Sequence, residues 1–180
     1  MKKVLILDFG GQYNLLIARR VRQSGVFCEI KSYRTPLAEI KAFSPDAVIL
    51  TGGPATVFDE GVPVLGICYG MQLMVYTLGG ACRKADKREY GKVLLNHVPS
   101  PLFKDVPDTS VCWMSHGVEV DSLPEGFKTT ATSDYCGFCA VENEEKKLYG
   151  VQFHAEVVHT EYGTKILENS LFAVCGLEKD

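Results

Sequence analysis

The segment "PVLGICYGMQLM", residues 63–74, changes character at its centre. Its first residues read as a buried strand and its last as a helix, with Cys68 between Gly66 and Gly70 at the join. A strand, a sharp turn and a helix in immediate succession form a nucleophile elbow. The glycines are expected to let the backbone turn tightly and to keep side chains off the approach to the sulfur, while the helix N-terminus favours thiolate over thiol. The amide of Tyr69 is then placed to point at an oxygen bound beside the sulfur. On this pattern alone, a structural cysteine at a strand end is an equal alternative.

Working outward, the N-terminal half repeats one theme. "KVLILDF" is a buried strand, "QYNLLIARRVRQSG" is amphipathic at helical spacing with a glycine stop, and "VFCEIKSY" alternates as a strand. "TPLAEIKAF" begins a short helix with proline in its first turn, "DAVILTGG" is another apolar strand, and "VPVLGIC" with "YGMQLMVYTLGG" adds a further strand and helix. This order predicts an α/β fold, a doubly wound, mostly parallel sheet of flavodoxin type with right-handed crossovers. From about Cys82 to Val120 and from Phe127 to Phe153, short strands separated by turns predict an antiparallel extension, and "GTKILENSLFAVCG" is a closing helix. The whole of 1–180 reads as a single domain.

One connection resists this scheme. Between the strand ending near Gly53 and the one beginning at Val62 or Pro63 lies only "PATVFDEG". A crossover between parallel strands needs about a dozen residues or more. The expectation is that crossover residues are absent here and that a spatial gap lies near Asp59 to Gly61.

Composition excludes several classes of function. The formal net charge of -3 comes from charges of both signs spread along the chain, so nothing points to nucleic acid. The apolar run "VLIL" near the N-terminus is broken by Asp8, and no apolar stretch is long enough to span a bilayer. A cytoplasmic protein without a membrane partner is expected. The seven cysteines are odd in number and mostly embedded in apolar runs, as expected of small buried hydrophobes in a reducing compartment. Cys136 and Cys139 form a C-x-x-C, but no second Cys/His pair follows at finger spacing, so no metal is expected.

A nucleophilic thiol needs a base, and the base needs a group to orient it. His154 in "YGVQFHAEV" follows an apolar strand and precedes Glu156 by two residues. In an extended segment i and i+2 lie on one side, so the carboxylate reaches one ring nitrogen while the other faces the sulfur. His97 and His159 lack such a neighbour and read as turn or surface residues, whereas His116 in "WMSHGVEV" is placed to line a pocket. The glycine pair of "LTGGP" ends a strand at the carboxyl edge of the sheet, where its amides could complete an oxyanion hole with Tyr69.

Together "GGP", "PVLGICYGMQ" and "GVQFHAEV" match, in order and spacing, the three signatures of the class I, triad-type glutamine amidotransferases. "LDFGGQY", "KREYG", "CWMSHGVEV" and "HTEYG" make the chain resemble the GMP synthetase branch of that family. The resemblance implies that Cys68 attacks the side-chain amide of L-glutamine, that His154 serves as base and then proton donor, and that Glu156 orients the ring. It implies an oxyanion hole from the amides of Gly53 and Tyr69, and glutamine binding by Gln72 and the backbone of Ser115, His116 and Gly117. It implies no cofactor for this domain, ATP and magnesium being used by a partner ATP-pyrophosphatase domain or subunit that receives the ammonia and converts XMP to GMP.

The chain carries no G-x-x-x-x-G-K-[ST] loop, so that synthetase part is absent from it and a partner surface around the mouth of the Cys68 site is expected. Two features depart from the family: Ala155 stands where proline is usual, and the segment after "GGP" is short by roughly a dozen residues, in line with the crossover argument. The rival readings are a glutaminase serving anthranilate, carbamoyl phosphate or CTP synthesis, a non-catalytic module that retains the triad or a redox-sensing thiol, and a thiol hydrolase.

Overall fold

Nine strands join in one sheet in this computed structural model, which describes residues 1–11, 13–51 and 55–179. The N-terminal half supplies β1 (Lys3–Asp8), α1 (Asn14–Gln23), β2 (Phe27–Ser32), α2 (Leu37–Phe43), β3 (Ala47–Leu50), β4 (Val64–Ile67) and α3 (Tyr69–Thr77). The C-terminal half supplies β5 (Ala81–His97), β6 (Thr109–Ser122), β7 (Lys128–Thr132), β8 (Ala140–Asn143), β9 (Leu148–Val151) and α4 (Gly163–Glu168), which continues as a π-helix over Asn169–Val174. The order across the sheet is β2-β1-β3-β4-β9-β8-β7-β5-β6. From β2 to β9 neighbours are parallel, and from β9 to β6 they are antiparallel.

Strand periodicity divides the core. In β1, Val4 and Ile6 pack with Ile17 and Val21 of α1, whereas Leu5 and Leu7 pack on the opposite face with Ile40 of α2 and Met74 of α3. Helices cover both faces of the parallel part, which is why its strands read as continuous apolar runs.

The expected β-α-β order stands, and the second half differs in detail. The stretch 82–120 holds two long strands, β5 and β6, paired over most of their length, in place of several short ones. The strand leading to His154 is antiparallel to β8 on one edge but parallel to β4 on the other, so it belongs to the parallel sheet. Its register sets Ile67 beside Val151, which brings the ends carrying Cys68 and His154 together.

The predicted spatial gap is not there. β3 and β4 are parallel neighbours, and the chain runs unbroken from Ala55 through a 3-10 turn to Val64. The carbonyl of Val57 accepts the N–H of Glu60 at 3.5 Å, and Gly61 turns the chain with φ of +71°. Both strands are shorter than the apolar runs suggested, so thirteen residues separate Leu50 from Val64. That length meets the minimum for a crossover without a full helix.

Candidate active site

Cys68 has φ of +55° and ψ of −108°, a conformation bulky L-residues rarely hold, and it caps α3 from outside the helix. Its N–H donates to the carbonyl of Val151 at 2.8 Å, so the turn is pinned to the end of β9. The flanking glycines serve close approach more than the turn. A Cβ on Gly70 would stand 1.8 Å from the carbonyl oxygen of Leu50, and one on Gly66 would stand 2.8 Å from the backbone of Gly70. The start of α3 can therefore lie directly on β3 and β4 only where side chains are missing, and the positive φ falls on the nucleophile itself.

His154 leaves β9 in a turn, not in the extended segment expected, yet its pairing is the predicted one. Nδ1 and Glu156 Oε1 are 2.7 Å apart. The His154 N–H donates to the Trp113 carbonyl at 2.9 Å, and Thr160 Oγ1 donates to the His154 carbonyl at 2.7 Å, which fixes the residue from both sides. The Tyr13 ring meets the imidazole edge-on with centroids 5.0 Å apart. Burial pushes the imidazole pKa down, but hydrogen bonds to Cys68 and Glu156 and the negative charges of both raise it to about 10. Below that pH the imidazolium form is favoured beside the sulfur.

These groups border a cavity of about 230 Å³ lined also by Phe9, Tyr13, Thr51, Tyr69 and Ser115. Tyr69 opens α3, where N–H groups have no partner inside the helix, and its ring stacks on Phe9 with centroids 4.6 Å apart. Gly53, the other expected oxyanion donor, lies outside the described residues.

Three expected substrate positions sit differently from the sequence reading. Ser115 lines the cavity, but His116 and Gly117 are not among its described lining residues. The His116 side chain turns inward on β6: Nδ1 donates to the Val118 carbonyl at 3.0 Å, and Nε2 pairs with the buried Glu89 Oε1 at 3.0 Å. Gln72 is also drawn away from the cavity, its Nε2 donating to the Val118 carbonyl at 2.8 Å and to Gln152 Oε1 at 3.0 Å. A polar side chain takes the buried partners available to it, and neither pull is visible in local spacing.

Sequence spacing also missed two groupings. Gln152, wholly buried, directs Nε2 to the Cys68 sulfur at 3.5 Å. Its only sequence signal is a polar residue at the end of an apolar strand. Donor atoms of Glu89, His116 and Cys136 lie within 4.8 Å of one another, assembled from β5, β6 and the β7–β8 loop. Of the remaining histidines, the ring of His97 stacks on Phe103 and that of His159 lies against Trp113.

A thiol on an elbow, an imidazole poised as a proton carrier and a buried carboxylate behind it define a covalent acyl-transfer site. The sequence pattern of the family Glutamine amidotransferase class-I matches residues 5–174, and this chain belongs to that family. Within it, the chain is 52% identical to GMP synthase [glutamine-hydrolyzing] of Caldicellulosiruptor saccharolyticus and 51% identical to that of Acetivibrio thermocellus, in each case over 98% of this chain. It spans only 37% of the length of those relatives. Both alignments extend over 190 positions against the 180 residues here, so at least ten positions of the relatives have no counterpart in this chain. The structure of a GMP synthase component from Thermoplasma acidophilum superposes with a TM-score of 0.88 at 28% identity, covering 98% of this chain and 94% of that one. A Thermotoga maritima glutamine amidotransferase shares the fold with a TM-score of 0.80 at 19% identity.

Proposed function

We propose that this chain hydrolyses L-glutamine to glutamate and ammonia as the glutaminase part of a GMP-forming enzyme. The observation that carries the reading is the assembly of Cys68, His154 and Glu156 on the wall of one cavity, with the His154–Glu156 contact at 2.7 Å. Cys68 Sγ adds to the side-chain carbonyl carbon of glutamine. The developing oxyanion is met by the amide of Tyr69, with Gly53 as the second donor. His154 gives its proton to the leaving nitrogen, ammonia departs, and a γ-glutamyl thioester remains. Water then attacks that carbon, His154 takes up the proton, and the C–S bond breaks to return the thiol and glutamate. Glu156 holds the ring by Nδ1 and balances its charge. Ser115 is the substrate-binding position on the cavity wall. Gln72, His116 and Gly117 act on glutamine only if Gln72 leaves Val118 and the β6 backbone offers its groups to the cavity.

The domain reading is that residues 1–180 are one glutaminase domain, needing no cofactor or metal. Its ammonia goes to an ATP-pyrophosphatase domain or subunit that uses ATP and magnesium to convert XMP to GMP. The GMP synthase relatives support this, being longer proteins of which the chain matches 37%. The test is glutamate release from glutamine by this chain, alone and with a GMP-synthetase pyrophosphatase subunit, with Cys68→Ala as control. Turnover that requires Cys68 and rises with the partner is expected. Absence of turnover in every mixture would overturn the reading.

A further inference from the structure

One buried polar chain reaches the nucleophile without entering the proposed reaction. It starts at the Val118 carbonyl, which can only accept. Gln72 must therefore present Nε2 to it, and the same Nε2 donates to Gln152 Oε1 at 3.0 Å. With its oxygen so engaged, Gln152 has only Nε2 left to face Cys68, where it lies 3.5 Å from Sγ. The oxygen and nitrogen ends of both amides are thus assigned by the network. The backbone of Gln152 is held as well, its N–H donating to the Cys139 carbonyl at 2.8 Å. His116 steadies the start of the chain, since its Nδ1 donates to the same Val118 oxygen while Glu89 holds its other nitrogen.

Two groups compete for the sulfur. The Ser115 carbonyl, 3.9 Å away, accepts and so favours S–H. The Gln152 amide donates and so favours the thiolate, as any hydrogen bond to a charged form does. We infer that Gln152 is a positioning residue for the nucleophile: its side-chain amide, oriented by Gln72 and Val118, aims the Cys68 sulfur and stabilises it as thiolate. This rests on the reading of Cys68 as the nucleophile proposed above.

The test is the rate of Cys68 alkylation by iodoacetamide as a function of pH, followed on the Cys68 peptide by mass spectrometry. It requires no glutamine turnover. Native protein, Gln152→Leu, Gln152→Glu and Gln72→Leu are compared, with circular dichroism to verify folding. Loss of the donor in Gln152→Leu is expected to move the reactivity midpoint to higher pH and slow alkylation at neutral pH about tenfold, the effect of roughly one pKa unit. Gln152→Glu, nearly isosteric and able to fold around the same Gln72 contact, is expected to shift further, because an ionised carboxylate opposes the thiolate. Gln72→Leu frees the Gln152 amide to turn and is expected to shift in the same direction by less. A midpoint near neutrality in native protein that is unchanged in all three variants would overturn the role of Gln152 and leave the nucleophile intact. A native Cys68 no more reactive than an ordinary thiol would overturn both.

Discussion

Cys68 combines a positive φ with a Cβ, and that combination is strained at any residue but glycine. The strain is on the order of 1–3 kcal/mol, partly offset in a glycine variant by the extra freedom glycine gives the unfolded chain, about 0.4–1 kcal/mol. Cys68→Gly is therefore expected to be more stable than Cys68→Ala by about 1 kcal/mol while both lack glutaminase activity, which chemical denaturation of the two variants would measure. Equal stability would mean that the turn holds no strain. His154 offers a second test. Its pKa is raised to about 10, above the usual imidazole value, so the folded state holds a proton that the unfolded chain loses first. The resulting stability is fully present below the unfolded pKa of about 6.5 and is lost as pH rises through 10. Replacing Cys68 by alanine or Glu156 by glutamine removes one raising partner and leaves burial to push the ring down. A titration of the His154 ring protons by NMR should show the midpoint falling in each variant. The triad itself was legible because each member sits in a short local motif. Gln152 was not, because its meaning depends on a contact with Gln72 eighty residues away.

At the scale of elements, the site exists because α3 lies almost on top of β3 and β4. Gly70 and Gly66 occupy the contact, and an added methyl on either would meet backbone that has nowhere to move. Gly70→Ala is expected to destabilise the fold by about 3 kcal/mol, the upper end for overpacking, and to lower Cys68 reactivity by lifting the head of the helix. An alkylation rate equal to that of native protein in a folded Gly70→Ala would contradict this account. The parallel half was readable because β-α-β order follows from periodicity and glycine stops. The strand β9 was not, since "KKLYGVQF" looks like its antiparallel neighbours in composition, and only sheet closure shows it pairing with β4. The crossover after β3 was misread for a related reason. Apolar residues continue beyond each paired segment, so the strands looked longer and the link shorter than they are.

Across the whole molecule, β8 and β9 mark the line where the sheet changes from parallel to antiparallel, and Glu142 lies on that line. Its side chain is buried, and neither carboxylate oxygen has a hydrogen-bond partner among the described residues. Burial raises its pKa above the usual carboxylate value. The sign of the consequence follows from proton counting. Below the ordinary range both folded and unfolded chains carry the proton, and the charge costs nothing. As pH rises through the unfolded pKa the unfolded chain ionises first, so folding loses stability until the folded carboxyl ionises too. At neutral pH the fold therefore carries a penalty that an apolar side chain of similar length would not. Glu142→Met is expected to raise stability at pH 7.5 by about 1–2 kcal/mol, the scale of an unpaired buried polar group, with a smaller gain at pH 5. Urea unfolding at the two pH values reads both quantities. A destabilised variant would show that Glu142 has a partner in solution, and a gain independent of pH would show that the charge is not what the sheet resists. Because Glu142 pairs through its backbone with Tyr149 of β9, the strand that delivers His154, glutaminase activity measured beside stability tells whether the penalty is tied to the site.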